Sequence, residues 1–364
     1  MKFNSVFLNK TVLLTGHTGF KGSWLTAWLK ELGANVTGIS LDPVSHPSHY
    51  TVANMSSGIK DFRIDVRDRN LFEETVVAAK PDFVFHLAAQ ALVRPSYADP
   101  IATWEINVMG TLHLLEALRK LDQPCSTVII TSDKCYDNVE WVWGYRETDA
   151  LGGPDPYSAS KGAVELAVRS HIKSFFPDKS NVRIASARAG NVIGGGDWSE
   201  DRIVPDCVKA WSHNQEVRLR NPYSTRPWQH VLEPLSGYLS LAAALSERSE
   251  LHGEAFNFGP PAQQNHSVLA LVEQMSLHWD QVRWQDVSQS VNGPYESGLL
   301  KLNCDKALHH LHWRAALGFE ETVRFTSEWY RAYYGQIMPI ETITQRQIAL
   351  YTAAAFQQGI EWAH

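Results

Sequence analysis

The 364-residue chain predicts an α/β fold, a doubly wound parallel sheet of the Rossmann type with a smaller C-terminal substrate-binding lobe. Three observations carry this. The first half alternates short Val- and Ile-rich runs with longer segments of helical period. Most of those runs are apolar continuously rather than at every second residue, which suits parallel strands covered on both faces. A glycine triplet joins the first run to the first helical segment, where a dinucleotide-binding turn belongs.

In chain order the predicted strands are TVLLTG (11–16), ANVTGIS (34–40), FRIDV (62–66), FVFHLAA (83–89), TVIITS (127–132) and VRIASARA (182–189). Helical period occupies Ser23–Leu32, Asn70–Ala79, Thr103–Leu121 and Tyr157–Phe176. Alternation of this kind builds βαβ units and a doubly wound sheet. After residue 190 the pattern loosens. NVIGGGDW (191–198) reads as a loop, and NPYSTRPWQHVLEP (221–234) holds three Pro and little period. Helical patterns return near 234–247, 267–278 and 319–334. The expected division is a dinucleotide-binding domain over 1–190 and a mainly substrate-binding domain over 191–364. The two interleave, with strands from about 226–260 returning to the first sheet.

An apolar content of 44% with 11% aromatics allows a sizeable core and excludes a disordered chain. A net charge of −6 argues against a nucleic-acid surface, which needs a clustered basic excess. Cys125, Cys135, Cys207 and Cys304 form no C-x-x-C pair and read as free thiols in a reducing compartment. The first residues lack an apolar leader, and no stretch approaches the ~18 uninterrupted apolar residues of a membrane span. A cytoplasmic protein is expected. His309, His310 and His312 stand at i, i+1, i+3 with no acid or Cys at a ligand offset, so they read as a polar helix end and not as a metal site.

TVLLTGHTGFKGSW reads strand, turn, helix, with Gly16, Gly19 and Gly22 at G-x-x-G-x-x-G spacing. Glycine lets backbone N–H groups approach a pyrophosphate, and the helix that follows offers its N-terminal dipole to the same anion. An acid after the second strand binds the adenosine ribose and repels a 2′-phosphate. Asp42 in GISLDPVS is the candidate, with no Arg expected nearby to welcome a phosphate, which favours NAD over NADP. A second reading has Asp42 only capping the turn before Pro43.

TVIITSDKCYDN (127–138) ends a buried run in a hydroxyl, an acid and a base: Ser132, Asp133 and Lys134. Downstream, DPYSASKG places Tyr157 and Lys161 at i and i+4 on one helix face. A Tyr works as a base near neutrality only when its phenolate is stabilised, and a neighbouring Lys and a cationic nicotinamide both do that.

At these residues the chain resembles the extended short-chain dehydrogenase/reductases, and within them the CDP-glucose 4,6-dehydratase group. The matching stretches are TGHTGFKGSW (15–24), FHLAAQALVRPSY (85–97), NVMGT (107–111), ITSDKCYDN (130–138), WVWGYRE (141–147), DPYSASKG (155–162), RAGNVIGGGDW (188–198), NPYSTRPWQHVLEPLSGY (221–238) and KLNCDKA (301–307). SDKCYDN sets this group apart from the dTDP-glucose and GDP-mannose dehydratases, where the resemblance predicts Glu at the position of Lys134. It implies an NAD-dependent lyase converting CDP-glucose to CDP-4-dehydro-6-deoxyglucose and water. Tyr157 would take the C4 hydroxyl proton, Lys161 would hold the nicotinamide ribose, and Ser132 would hydrogen-bond the developing ketone. Asp133 would be the acid at C6 and Lys134 the base at C5.

The resemblance further implies that Asp65 and Val66 lie near the adenine, that Leu87, Ala88 and Ala89 line the dinucleotide, and that Asn107 faces the site from its helix. His17, Phe20 and Lys21 fall inside the phosphate loop, where His17 and Lys21 rim or crowd the NAD. Arg226 is the first candidate for the substrate pyrophosphate, since Arg can bind it bidentately, followed by Arg202 and Arg94. Gln90, Ser96 and Asn191 are expected to face the sugar. Tyr295, in a divergent stretch NGPYESGLL (292–300), stands where a His is expected. The family also implies a homodimer or dimer of dimers through the helices near 103–121 and 157–176, and a place in dideoxysugar and O-antigen synthesis. A nucleotide-sugar 4-epimerase, a dehydratase of another NDP-hexose, and a catalytically inert NAD-binding scaffold are the alternatives. The Asp133–Lys134 pair speaks against the epimerase, and the intact Ser–Tyr–Lys set against the scaffold.

Overall fold

The computed structural model describes residues 2–177, 180–280, 282–288 and 298–364. Its centre is a seven-stranded sheet of β1 (Thr11–Thr15), β2 (Asn35–Ser40), β3 (Lys60–Arg63), β4 (Phe83–His86), β5 (Cys125–Ile130), β6 (Val182–Arg188) and β7 (Ala255–Asn257). The order is β7-β6-β5-β4-β1-β2-β3, and every neighbouring pair is parallel. The seventh strand comes from the second half of the chain.

The continuous apolar runs are explained by burial on both faces. Val12 and Leu14, Phe83 and Phe85, and Val128 and Ile130 enter one core with Trp24, Leu25 and Trp28 of α1 (Phe20–Glu31). Leu13, Val84, Ile129 and Ile184 enter the other, against Phe72 and Val76 of α2 (Arg69–Ala79), Leu114 and Leu118 of α3 (Gly110–Leu118), and Val164 and Val168 of α4 (Pro156–Phe175). Both faces are therefore dry, as a parallel sheet requires. The strand order reverses between β1 and β4. Their carboxyl ends open a crevice there, the place where such sheets bind ligands.

Beyond β6 the chain runs through α5 (Ile203–Ser212), α6 (Leu232–Glu247), α7 (Val268–Ser276), α8 (Phe319–Tyr334) and α9 (Ile340–Gln357). α6 lies under the sheet, with Leu235, Leu239 and Ala242 fully buried.

Three elements differ from expectation. The strand expected at 62–66 pairs at 60–63, because β3 is an exposed edge and the buried Ile64 and Val66 lie just beyond its ladder. The helix expected over 103–121 is broken into Pro100–Trp104, a π turn at Glu105–Met109 and α3. α9 was not apparent in the sequence, since Thr344 and Gln347 share its buried face with Ile343, Ile348 and Tyr351 and blur the apolar period. His309 and His310 do lie in the last turn of a short helix, Asp305–Leu311, and His312 closes it in the left-handed region at φ 48°. No described helix is long and apolar enough to cross a membrane.

Candidate active site

At the end of β1 the turn is closed by two glycines that accept no substitute. Gly16 has φ +73°, and a Cβ there would lie 2.7 Å from the Ala88 nitrogen. A Cβ on Gly22 would lie 2.1 Å from the Gly16 carbonyl oxygen. Gly19 caps α1 with no side chain, which leaves the helix N-terminus open to an anion. Phe20 begins α1 half-buried. Leu87 N–H donates to the Thr15 carbonyl and Ala88 N–H to Thr15 Oγ1, both at 3.1 Å. These contacts hold Leu87, Ala88 and Ala89, all half-buried, beside the glycine turn. The cradle fits a dinucleotide pyrophosphate.

His17 turns away from that cradle. Its ring is buried, fills the space over Gly38, and sits with Nε2 2.7 Å from Asp61 Oδ1. Burial holds its pKa below the usual range. Lys21 runs the other way, with Nζ 3.5 Å from the Tyr238 hydroxyl of α6. Burial holds it down to about 8, helped by the charges of Arg202 and Lys161.

Asp42 is exposed and accepts a hydrogen bond from Arg63 Nε at 2.8 Å. An arginine does therefore stand beside the ribose-acid candidate, contrary to the sequence expectation, because β3 delivers it from the neighbouring strand. Ser40, at the end of β2, shares a 2.7 Å hydrogen bond with Thr18 Oγ1. Asp65 is closed by Arg67, whose NH2 lies 2.7 Å away, and this pairing holds its carboxyl below the usual range. Val66 is buried, with its carbonyl 2.8 Å from His113 Nδ1.

The candidate reacting groups come from two elements, the turn after β5 and the start of α4. Asp155 caps α4, accepting from Ser158 N–H at 3.0 Å and from its hydroxyl at 2.6 Å, and Pro156 opens the first turn. This fixes Tyr157 and Lys161 on the inner face. Gly162 lets the helix lie flush on the turn after β5, since a Cβ there would come within 3.3 Å of the Cys135 carbonyl oxygen. In that turn Ser132 Oγ accepts from Lys134 N–H at 3.2 Å and donates to Asp133 Oδ1 at 2.9 Å. Burial pushes the Tyr157 phenol up to about 12, and its hydrogen bond with Ser132 opposes the rise. Burial holds Lys161 down to about 8, and its Nζ donates to the Ile130 carbonyl at 3.4 Å. Ser132, Asp133, Tyr157 and Lys161 are all buried, and Lys134 is half-buried beside them.

Asp133 is gripped from the far side as well. Asn191, in the left-handed region at φ 53°, donates from Nδ2 to Asp133 Oδ2 at 3.2 Å. Gly190 lies directly against the carboxylate, and a Cβ there would come within 1.9 Å of Oδ2. Asn107 ties the π turn to both partners: its Oδ1 accepts from Gln90 N–H at 2.9 Å, and its Nδ2 donates to Ser160 Oγ of α4 at 2.8 Å. Sequence reasoning missed Gly190, Tyr238 and the buried pair Glu165–Arg188. Only Glu165 carried a signal, continuing the i+4 register of Tyr157 and Lys161.

The expected substrate contacts fare unevenly. Ser96 is fully buried and donates to the Val93 carbonyl at 2.6 Å within its own helix, so its hydroxyl does not face a sugar. Gln90 folds onto Leu92 and Thr103, which occupy its amide. Arg94 pairs with Asp201 at 2.8 Å, and Arg202 with Asp197 at 2.9 Å. Arg226 donates to the Thr225 carbonyl at 2.8 Å. Tyr295 lies outside the described residues.

Ser132, Asp133 and Lys134 thus follow one another on the turn after β5, with Tyr157 and Lys161 on the adjoining face of α4. The family model for GDP-mannose 4,6 dehydratase matches residues 13–326. The chain is 45% identical to the CDP-glucose 4,6-dehydratase of Salmonella typhimurium, over 95% of this chain and 97% of that protein. It is 27% identical to the CDP-paratose 2-epimerase of Salmonella typhi, over 71% and 82%. Among solved structures, the UDP-glucose-4-epimerase of Stenotrophomonas maltophila superposes with a TM-score of 0.78 at 21% identity, covering 90% of this chain and 100% of that one. The chain belongs to the GDP-mannose 4,6-dehydratase family.

Proposed function

We propose that the protein is an NAD-dependent lyase that converts CDP-glucose to CDP-4-dehydro-6-deoxyglucose and water. The single observation that carries this reading is the turn Ser132–Asp133–Lys134. Its serine hydrogen-bonds Tyr157 and the Asp133 carboxylate, and Lys134 follows next on the same turn. A 4-epimerase needs the serine and no such pair.

NAD, held by the Gly16–Gly19–Gly22 turn and Leu87–Ala89, would supply a reversible hydride acceptor for C4 and donor for C6 of the hexose. Tyr157, as phenolate, takes the C4 hydroxyl proton. The phenol is held high by burial, so a cation beside it is needed to reach the phenolate; the charge of Arg202 already lowers it, and Lys161, one helical turn away, supplies a second cation. Ser132 donates to the ketone oxygen as it forms. The ketone acidifies C5, and Lys134 removes that proton. Asp133 protonates the C6 oxygen, which leaves as water, and a proton then returns to C5. Asn191 and Gly190 keep the Asp133 carboxyl in place throughout. Arg226 binds the CDP pyrophosphate, and Asp42 and the Asp65–Val66 backbone lie toward the adenosine of NAD.

Exposed Ile101, Trp104, Met109, Leu166 and Phe175, on the helical segments 100–118 and α4, support a homodimer packed through these helices. A deoxysugar product fits a role in dideoxysugar and O-antigen synthesis in the cytoplasm. The test is direct: incubate the purified protein with NAD and CDP-glucose and weigh the nucleotide sugar. Loss of one water is expected. An isomer of equal mass would make it an epimerase, and unchanged CDP-glucose would leave only a binding protein.

A further inference from the structure

Behind the reacting groups lies a buried ion pair with no part in the proton transfers. Glu165 stands one helical turn beyond Lys161 on α4, and Arg188 is the last residue of β6. Both are buried, and they meet in a two-pronged pair with Arg188 Nε to Glu165 Oε1 and NH2 to Oε2, each at 2.9 Å. All four acceptor positions of the carboxylate and four of the five guanidinium N–H groups are used. Thr131, immediately before Ser132, donates from Oγ1 to Glu165 Oε1 at 2.5 Å, and Ser186 donates to Oε2 at 2.8 Å. Arg188 NH1 donates to the Tyr136 hydroxyl at 2.7 Å and to the Glu147 carbonyl at 3.2 Å. The guanidinium also lies 4.9 Å over the Tyr136 ring. Tyr136 donates from its own hydroxyl to Asn257 Oδ1 on β7 at 2.8 Å.

The pair therefore holds both ends of the six-residue stretch Thr131–Tyr136 that contains Ser132, Asp133 and Lys134. Glu165 holds its start through Thr131, and Arg188 holds its end through Tyr136. Arg188 also leads directly into Gly190 and Asn191, which clasp Asp133. We infer that Glu165–Arg188 and Tyr136 are positioning residues that keep the elimination pair, Asp133 and Lys134, in register with the redox pair, Tyr157 and Lys161. This rests on the roles given to those four residues under the proposed function. A buried ion pair is weak evidence for stability, because well-packed apolar residues of similar size often replace one at no loss. Its retention points to geometry, and networks of this kind fix a unique arrangement only when every member is satisfied.

Two variants test this. Tyr136→Phe removes one hydroxyl and leaves the ion pair whole. Glu165→Met/Arg188→Met removes both charges together, so no orphan charge is left to unfold the protein. Each is assayed with CDP-glucose and with CDP-glucose deuterated at C4. In Tyr136→Phe, dehydration should slow by about 10- to 100-fold, the scale of a misplaced group, while KM stays within about twofold. The C4 isotope effect should shrink toward one, since elimination now limits and hydride removal does not. The double variant should fold and show the same shrinkage. A merely structural role would lower melting temperature or rate and leave the isotope effect unchanged. That result, or wild-type turnover in the folded double variant, overturns the inference. Lys134→Met, run alongside, tells the two failures apart: wild-type turnover in that variant sinks the underlying assignment, whereas silent Tyr136→Phe beside a dead Lys134→Met sinks only the clamp.

Discussion

Replacing Gly190 with Ala perturbs the carboxylate of Asp133, the proposed acid. The added methyl would sit 1.9 Å from Asp133 Oδ2, and real Cβ contacts essentially never fall under 3.0 Å. The carboxylate must retreat by about 1 Å. Its bonds to Ser132 at 2.9 Å and Asn191 at 3.2 Å then pass out of hydrogen-bonding range. A misplacement of about 1 Å costs on the order of 100-fold in rate, or about 2.7 kcal/mol of barrier. Overpacking itself costs roughly 1–3 kcal/mol of stability, so the folded fraction is checked by thermal unfolding and rates are corrected for it. Dehydration is followed by mass, and C5 exchange by deuterium uptake from heavy water. The expected outcome is a kcat about 100-fold lower with KM little changed. A Gly190→Ala enzyme within about twofold of wild type would refute the placement of Asp133 at the reacting carbons.

Lys134→Met should abolish deuterium uptake at C5 while the protein still binds CDP-glucose; undiminished exchange would remove Lys134 as the base. Asp155→Ala removes the cap of α4 and should lower stability by about 1 kcal/mol in thermal or urea unfolding, with an unchanged transition counting against the cap. Glu233 is buried at the start of α6, accepts from the Leu317 N–H at 2.7 Å and the Tyr351 hydroxyl at 2.7 Å, and is pushed up to about 7 by burial. Its folded pKa exceeds the unfolded one. Its stabilising contribution is thus fully present below about 4.5 and lost as pH rises through about 7, by on the order of 3 kcal/mol. The stability difference between wild type and Glu233→Gln should therefore slope downward across that window, and a flat difference would show that Glu233 is ionised in the fold.

Burial on both faces made the central strands readable, because it removed the alternation that would have hidden them. The edge strand β3 reads two to three residues too late for the opposite reason: its ladder residues are exposed and its apolar neighbours lie outside the ladder. The π turn around Asn107 changes hydrogen bonding without changing the apolar period, so a single helix was all the pattern could suggest. In the site, Tyr157 and Lys161 were readable from a four-residue spacing and Ser132 from its place at a strand end. Asn191 against Asp133, Arg63 against Asp42 and Arg188 against Glu165 are contacts between separate elements, which no local pattern encodes. Ser96 and Gln90 misled because polar side chains near a crevice can be spent on their own turns.

The most direct test of the central claim is the fate of one deuteron. CDP-glucose labelled at C4 is turned over by the purified protein with NAD, and the product is read by mass and NMR. A single chain of events on one face of one site predicts a product lighter by one water with the label on C6. A product that has lost the label, or one of unchanged mass with the label still on C4, would contradict the account.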